Sequence, residues 1–485
     1  MIKKLIAKYS TLSLSTKSSI AYTFANLISK SINIITIPVF TRIMSTSEIG
    51  ITTTYTSWYT ILYAIVTLSL CSGSMNIAML DYKERRFQYQ SSCLTLSSLS
   101  GVICLILYSI FSEKIIGITG LNNLVMWVLL ISLIVNPALD FWYAKQRYEY
   151  KYKSSVFVSI FISVISAISS LFCVIYSKNI GCNNIGDVKI ISQGAITLIV
   201  GLFLYIYIMS HGKVFIDFDI WKYALSLSIP LIVHTLAKSL LDVSDRIMIS
   251  QICGQSEAGI YGTVYSISLL ALLVWNAINT SIIPITFEYL NKKEYNKINQ
   301  MLYIVLILFA ITSILVALFA PEILLILTTS EYSEAVYLIP ALCAGIFFTA
   351  LYNIYGNFLL YKKKTTNIMI ATLIATITNI ALNYIFLKRF GYIIAAYTTL
   401  VSFIVLALFQ CIMVRLVYKE KNVNNKVFWL ISFIVVLACL LCNILYKFLV
   451  MRYIVITCLF ILLVINKEKL FVVFKKRGKE DDIDE

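Results

Sequence analysis

Residues Trp221–Gly262 read WKYALSLSIPLIVHTLAKSLLDVSDRIMISQICGQSEAGIYG, a segment long enough to cross a bilayer as a helix yet carrying ionisable side chains along its length. His234, Lys238, Asp242 and Asp245 follow one another at spacings of four, four and three. On a helix they form one polar stripe with Arg246 beside it, while the other faces are Leu, Ile, Val and Ala. A Lys or Asp at mid-membrane costs roughly 2.5 to 3.5 kcal/mol on insertion scales, so such residues turn toward a bundle interior or a watery cavity and are functional candidates. The competing reading is internal: Lys238 and Asp242, four apart, neutralise each other and only hold the bundle together.

Composition sets the class around that helix. The chain has 485 residues, 59% of them hydrophobic and 13% charged, with a mean hydropathy of +0.85, which is far more apolar than a soluble domain. The expectation is an all-α polytopic membrane protein. Runs of about 20 apolar residues, the length that spans hydrocarbon, number fourteen, from 19–40 to a short last one at 451–466, with the second read as one span over 51–79. Of the Lys and Arg in the loops and ends, 29 fall at the N-terminus, in every second loop and in the tail, against eight in the opposite loops. The positive-inside rule then places both termini in the cytoplasm, and the net charge of +16 reads as topology rather than as affinity for nucleic acid. No loop is long enough to fold alone, so function is exercised by the bundle.

The eleven Cys lie mostly within apolar runs, where a thiol is a small hydrophobe. Cys439 and Cys442 form a C-x-x-C in mid-span, with no further Cys or His at zinc spacing, and are read as packing. No metal site is expected. The N-terminal MIKKLIAKYSTLSLSTK has too short an apolar core for a signal peptide. The tail KEKLFVVFKKRGKEDDIDE is basic and then acidic, a candidate contact with anionic lipid.

An internal repeat organises the chain. PVFTRIMSTSEIGITTTY follows the first span and DVSDRIMISQICGQSEAGIYGTVY follows the seventh: Arg42-Ile-Met aligns with Arg246-Ile-Met and Glu48-x-Gly50-Ile with Glu257-x-Gly259-Ile. Each copy opens a block of six spans, which divides the chain into halves at 1–210 and 211–420, two additional helices at 421–466 and a tail at 467–485. Two such halves around a central cavity are a common transporter plan. Lys30 falls opposite His234, and Asn26, Lys30 and Asn33 share a face of the first span. Tyr55, Tyr59 and Tyr63 share a face of the second, read as packing before substrate contact. Thr372, Thr376, Asn379 and Asn383 share a face of the eleventh, for which helix-to-helix hydrogen bonding competes with lining a cavity. Asp140 and Glu288, near helix ends, are candidates for gating or ion coupling together with Asp242 and Asp245. Nucleotide-binding, zinc-protease and serine-hydrolase motifs are missing, so no enzyme is expected.

The P-x-x-x-R-I-M to E-x-G segment after the first span and the D-R-I-M-I to E-A-G-I-Y segment after the seventh, with fourteen spans in repeated halves, resemble the polysaccharide-transporter branch of the multidrug/oligosaccharidyl-lipid/polysaccharide (MOP) exporter superfamily, above all the Wzx-type O-antigen and capsule repeat-unit flippases. The resemblance implies a bacterial inner-membrane protein that moves an undecaprenyl-pyrophosphate-linked oligosaccharide between leaflets by alternating access, in a pathway shared with polysaccharide polymerase and chain-length proteins. The chemistry is consistent with that role, because a pyrophosphate cannot enter hydrocarbon without countercharge. Lys30, Lys238, Arg42 and Arg246 are the candidates to supply it, with His234, Asn26 and Asn33 in the same cavity. No cofactor is expected, and the proton, sodium and membrane potential remain open as the driving force. Two rivals stand beside this reading: a cation-coupled exporter of small drugs, which would want acidic cavity residues, and a membrane polysaccharide polymerase or ligase, which would want a large catalytic external loop.

Overall fold

A computed structural model describes residues 13–418 and 425–465. Lys3, Lys4, Lys8, Lys419, Lys421 and the charged tail, on which part of the orientation reading rests, lie outside the described residues. The chain divides into two compact units, Met1–Ile260 and Tyr261–Glu485. The first contains α1 (Leu14–Ile43), α2 (Thr46–Val66), α3 (Ser74–Asp81), α4 (Arg86–Thr119), α5 (Asn123–Val135), α6 (Pro137–Tyr148), α7 (Tyr152–Asn179), α8 (Ile185–Gly212) and α9 (Phe218–Ile252). α10 (Gln255–Ser268) begins in the first unit and ends in the second. The second continues with α11 (Leu270–Asn291), α12 (Tyr295–Leu318), α13 (Ala320–Leu327), a 3-10 segment (Ser330–Leu338), α14 (Ile339–Tyr361), α15 (Thr365–Phe390), α16 (Ile394–Tyr418), α17 (Asn425–Leu445) and α18 (Leu449–Ile465).

The protein is an all-helical, multi-pass membrane protein. Among the described residues, twelve helices are long and apolar enough to cross a bilayer. Two of the fourteen expected segments differ from that standard. The second is not one continuous helix: α2 ends at Val66, the backbone turns through left-handed Leu68 and Ser69, and α3 resumes at Ser74. The last, α18, has 17 residues, slightly under a full span. α5 and α6 form one span with a joint where Pro137 starts the second piece, a position that tolerates proline because its missing N–H has no partner to lose.

In the first unit α1 packs on α7, α7 on α8, and α2 lies between α8 and α9. In the second, α14 is the central helix. Buried on nearly every side, it is apolar all round, as an interior helix must be, and it packs against α12, α16 and α17. Trp275, Phe309 and Phe347 run through this core with ring centroids 5.3 and 5.8 Å apart. α18 is fastened by charge: the buried Arg452 pairs with Glu322 on α13, and the Tyr453 hydroxyl donates to the same carboxylate at 2.8 Å.

Candidate functional site

α9 is the helix that the Trp221–Gly262 segment encodes. Asp217 caps it, its carboxylate accepting from the backbone N–H groups of Asp219 and Ile220 at 3.1 Å each, an arrangement that satisfies donors a helix start leaves free. Along its middle, Lys238 and Asp242 form an ion pair, both side chains partly exposed. His234 lies one turn earlier, partly buried. Asp245 is 1% exposed, and its carboxylate accepts from the Arg246 backbone N–H at 2.8 Å. On α1, Asn26, Lys30, Asn33 and Arg42 are exposed, and Arg42 donates to the Pro38 carbonyl at 2.8 Å. Glu288 is exposed at the end of α11 and pairs with Lys292 at 2.5 Å.

The first unit also holds a cavity of about 540 Å3. Of the charged, histidine and asparagine candidates from the sequence, only Asp140 lines it. Tyr59, Thr60 and Tyr63 contribute from α2, Ser69, Cys71 and Ser72 from the turn that breaks the second span, and Thr235 and Ser239 from α9. The tyrosine rings of residues 55, 59 and 63 form a ladder with centroids 6.2 and 5.4 Å apart. Two of its hydroxyls are bonded in turn: Asn136 Nδ2 donates to Tyr59 at 2.9 Å, and Tyr63 donates to Asp140 at 2.6 Å. α9 thus contributes Thr235 and Ser239 to the cavity, while the stripe residues His234 and Lys238 point about 100° away around the helix.

Sequence reasoning passed over Arg147, counted as a topological charge although it lines this cavity, and the broken second span. The break falls in the LSLCSGS run at 68–74, where α9 crosses so closely that a Cβ on Gly73 would lie 2.7 Å from the Ser228 hydroxyl. Nonhelical backbone at membrane depth survives only where protein covers it or water fills a cavity beside it, and here it lines one.

The repeated motif has a structural role of its own. Gly50 on α2 and Gly259 on α10 meet backbone to backbone: a Cβ on Gly50 would fall 1.7 Å from the Gln255 carbonyl oxygen, and one on Gly259 would fall 2.1 Å from that of Thr46. Only glycine permits such an approach. The crossing is bonded on both sides, the Thr46 and Ser256 hydroxyls being 2.8 Å apart and Thr54 donating to Gln255 Oε1 at 2.9 Å.

Comparison with known proteins yields matches by sequence and by fold. The family model described as polysaccharide biosynthesis protein matches residues 15–290, and the MatE model matches residues 230–385. Among curated proteins, a probable low-salt glycan biosynthesis flippase, Agl15 of Haloferax volcanii, is 28% identical over 31% of this chain and 33% of its own length, so the match spans a third of that relative. The Lsg locus putative protein 1 of Haemophilus influenzae is 21% identical over 75% of this chain and 89% of its own. Among solved structures, the lipid II flippase MurJ in an inward closed conformation superposes with a TM-score of 0.64 at 18% identity, covering 94% of this chain and all of that one. An inward-facing multidrug resistance MATE family transporter of the MOP superfamily gives 0.57 at 14%, covering 82% and 96%.

Proposed function

This chain belongs to the polysaccharide biosynthesis protein family, within the MOP exporter superfamily, and from that premise we propose that it flips undecaprenyl-pyrophosphate-linked oligosaccharide repeat units across the bacterial inner membrane. The polysaccharide would be O-antigen, capsule or a related surface polymer, and the cycle alternating access. The protein acts as a transporter, not an enzyme, with both termini cytoplasmic, two six-helix halves at 1–210 and 211–420, and polysaccharide polymerase and chain-length proteins as neighbours in the pathway. The observation that carries the reading is the spanning helix α9, with His234, Lys238 and Asp242 at mid-length, in a chain of the polysaccharide biosynthesis protein family. Lys238 and Lys30 supply countercharge to the pyrophosphate, aided by Arg42 and Arg246, while Asn26 and Asn33 bond the head group. Asp242, Asp245, Asp140 and Glu288 are the groups available for ion coupling or gating. Likeness to MATE transporters at 14% identity supports the fold alone, so drug export stays the weaker reading.

The decisive test separates substrate binding from internal pairing in α9. A pair broken by removing one partner leaves an uncompensated charge, whereas removing both removes the liability. Surface-polysaccharide display is measured in a strain lacking the gene, with membrane protein levels matched across Lys238→Ala, Asp242→Ala, the double variant and the parent. Lys238→Ala and the double variant are both expected to stay inactive, as is Lys30→Ala. Recovery of the double variant to near the parent's level would reduce Lys238 to a structural partner and leave the countercharge to Lys30, Arg42 and Arg246.

A further inference from the structure

The cavity of the first unit has a composition that the pyrophosphate argument does not use. None of Lys30, Arg42, Lys238 and Arg246 lines it, so it is poorly suited to a phosphate. Its two charged residues, Asp140 and Arg147, are of opposite sign, leaving it without net charge. At about 540 Å3 it is far too large to coordinate a bare cation, which wants oxygens at about 2.3 to 2.6 Å on every side. One buried polar atom of the lining lacks a protein partner, the Ser69 hydroxyl, in a residue only 4% exposed. Leaving such an atom unbonded is costly, and the backbone that carries Ser69 is itself strained, with φ of +50°. Strain and an unpaired hydroxyl kept together beside a cavity are the mark of a place where something else supplies the bond.

The geometry points to this cavity as a binding site for one uncharged sugar unit of the lipid-linked glycan, held apart from the phosphate-binding cations; the inference rests on the flippase reading and refines it. A pyranose presents apolar C–H faces and a rim of hydroxyls that both donate and accept. The tyrosine ladder offers the flat apolar surface for the first, since aromatic side chains combine a broad apolar face with a polar tip. Asp140, Ser69, Thr235 and Ser239 offer the mixed donors and acceptors for the second. A uronic acid would set a carboxylate against Asp140, and an amino sugar with a free ammonium would meet Arg147, so selection runs toward neutral or N-acetylated sugars. The unwound turn contributes as transporters' discontinuous helices do, by freeing backbone groups where a substrate sits.

The test uses the full-length protein in nanodiscs and saturation-transfer NMR. The probes are the methyl glycosides of glucose, galactose, N-acetylglucosamine and N-acetylgalactosamine, with glucuronic acid as the acidic comparator and farnesyl diphosphate as a probe of the cationic site. At least one uncharged glycoside should show saturation transfer at millimolar concentration, falling tenfold or more in Asp140→Asn and in Ser239→Leu, which fills the cavity from α9 without touching the α2 to α6 hydrogen bonds. Farnesyl diphosphate binding should be unchanged in Ser239→Leu. Absence of transfer from all four glycosides, persistence of transfer in the Ser239→Leu protein, or equal transfer from glucuronic acid would overturn the sugar site. Should farnesyl diphosphate bind while the glycosides do not, the sugar site falls and the flippase reading stands. Glycoside binding without any farnesyl diphosphate binding would support the sugar site and count against the pyrophosphate part of the flippase reading.

Discussion

The two ends of α2 are built on opposite principles. At its start Ser45 and Glu48 close a reciprocal capping box, Glu48 also accepts from the Ile185 backbone N–H at 3.3 Å, and Gly50 lies against the backbone of α10. At its far end the helix gives out after Val66 into strained, polar backbone beside open space. One end spends its residues on contact, the other keeps a hydroxyl unsatisfied. In a helix of 21 residues the contrast says that rigidity and binding have been separated along one element, the tight end fixing the position from which the loose end works.

The largest effect should come from the tight end. Gly50→Ala has no room to relax, because the atom it strikes is backbone, and overpacking of this kind costs about 1 to 3 kcal/mol or more. The expected outcome is loss of the monodisperse species on fluorescence-detected size exclusion, whereas Gly117→Ala, whose Cβ meets nothing within 4 Å, should elute like the parent. Equal behaviour of the two variants would mean that the crossing is not close packed. At the loose end the sign should reverse. Ser69→Gly relieves a left-handed residue by about 1 kcal/mol and removes an unpaired hydroxyl, so thermal stability in detergent should rise while polysaccharide display falls. A drop in both would make the turn a structural element like the capped end.

The smallest effect concerns the charges just past α6, the helix that brings Asp140 and Arg147 to the cavity. Burial raises the Glu149 carboxyl, but the hydrogen bond from Lys151 at 2.7 Å and the charges of Lys145, Lys151 and Arg86 outweigh it, so the group titrates below its usual range. A depressed carboxylate contributes stability that is complete above its unfolded pKa, about 4.3, and is lost as pH falls through the folded value. Thermal stability should therefore decline more steeply below about pH 4 in the parent than in Glu149→Gln, read from melting curves across that range. Parallel curves would show that the cluster adds nothing to the anchoring of that wall.

Much of the fold was legible because length and apolarity alone decide a membrane span. The break in the second span was not, since LSLCSGS is apolar enough to pass for helix, and only the approach of α9 explains the turn. The repeat was readable as an alignment, but not as a contact, because Gly50 and Gly259 meet through tertiary packing that no local spacing encodes. The polar stripes teach the same lesson from the other side. Thr372, Thr376, Asn379 and Asn383 on α15 are all buried and bonded internally, Thr376 to the Thr372 carbonyl at 2.8 Å and Asn383 to Asn379 and Thr398. Tyr59 and Tyr63, at a similar helical spacing, line open space. Period tells which residues share a face, and nothing about what that face meets.

The crossing that joins the repeat copies also sets a clock. Thr46 and Ser256 are 210 positions apart, so at roughly 5 to 20 residues per second a ribosome needs ~10–40 s after making one before it makes the other. Throughout that interval α2, which is not among the helices apolar enough to span on composition alone, has no partner for its glycine face. Its Thr46 and Thr54 hydroxyls lack their α10 partners until then. The segment from Trp221 to Gly262 is thus also the last piece the first unit waits for, and a chain truncated before α10 would leave α2 the first helix open to quality-control proteases.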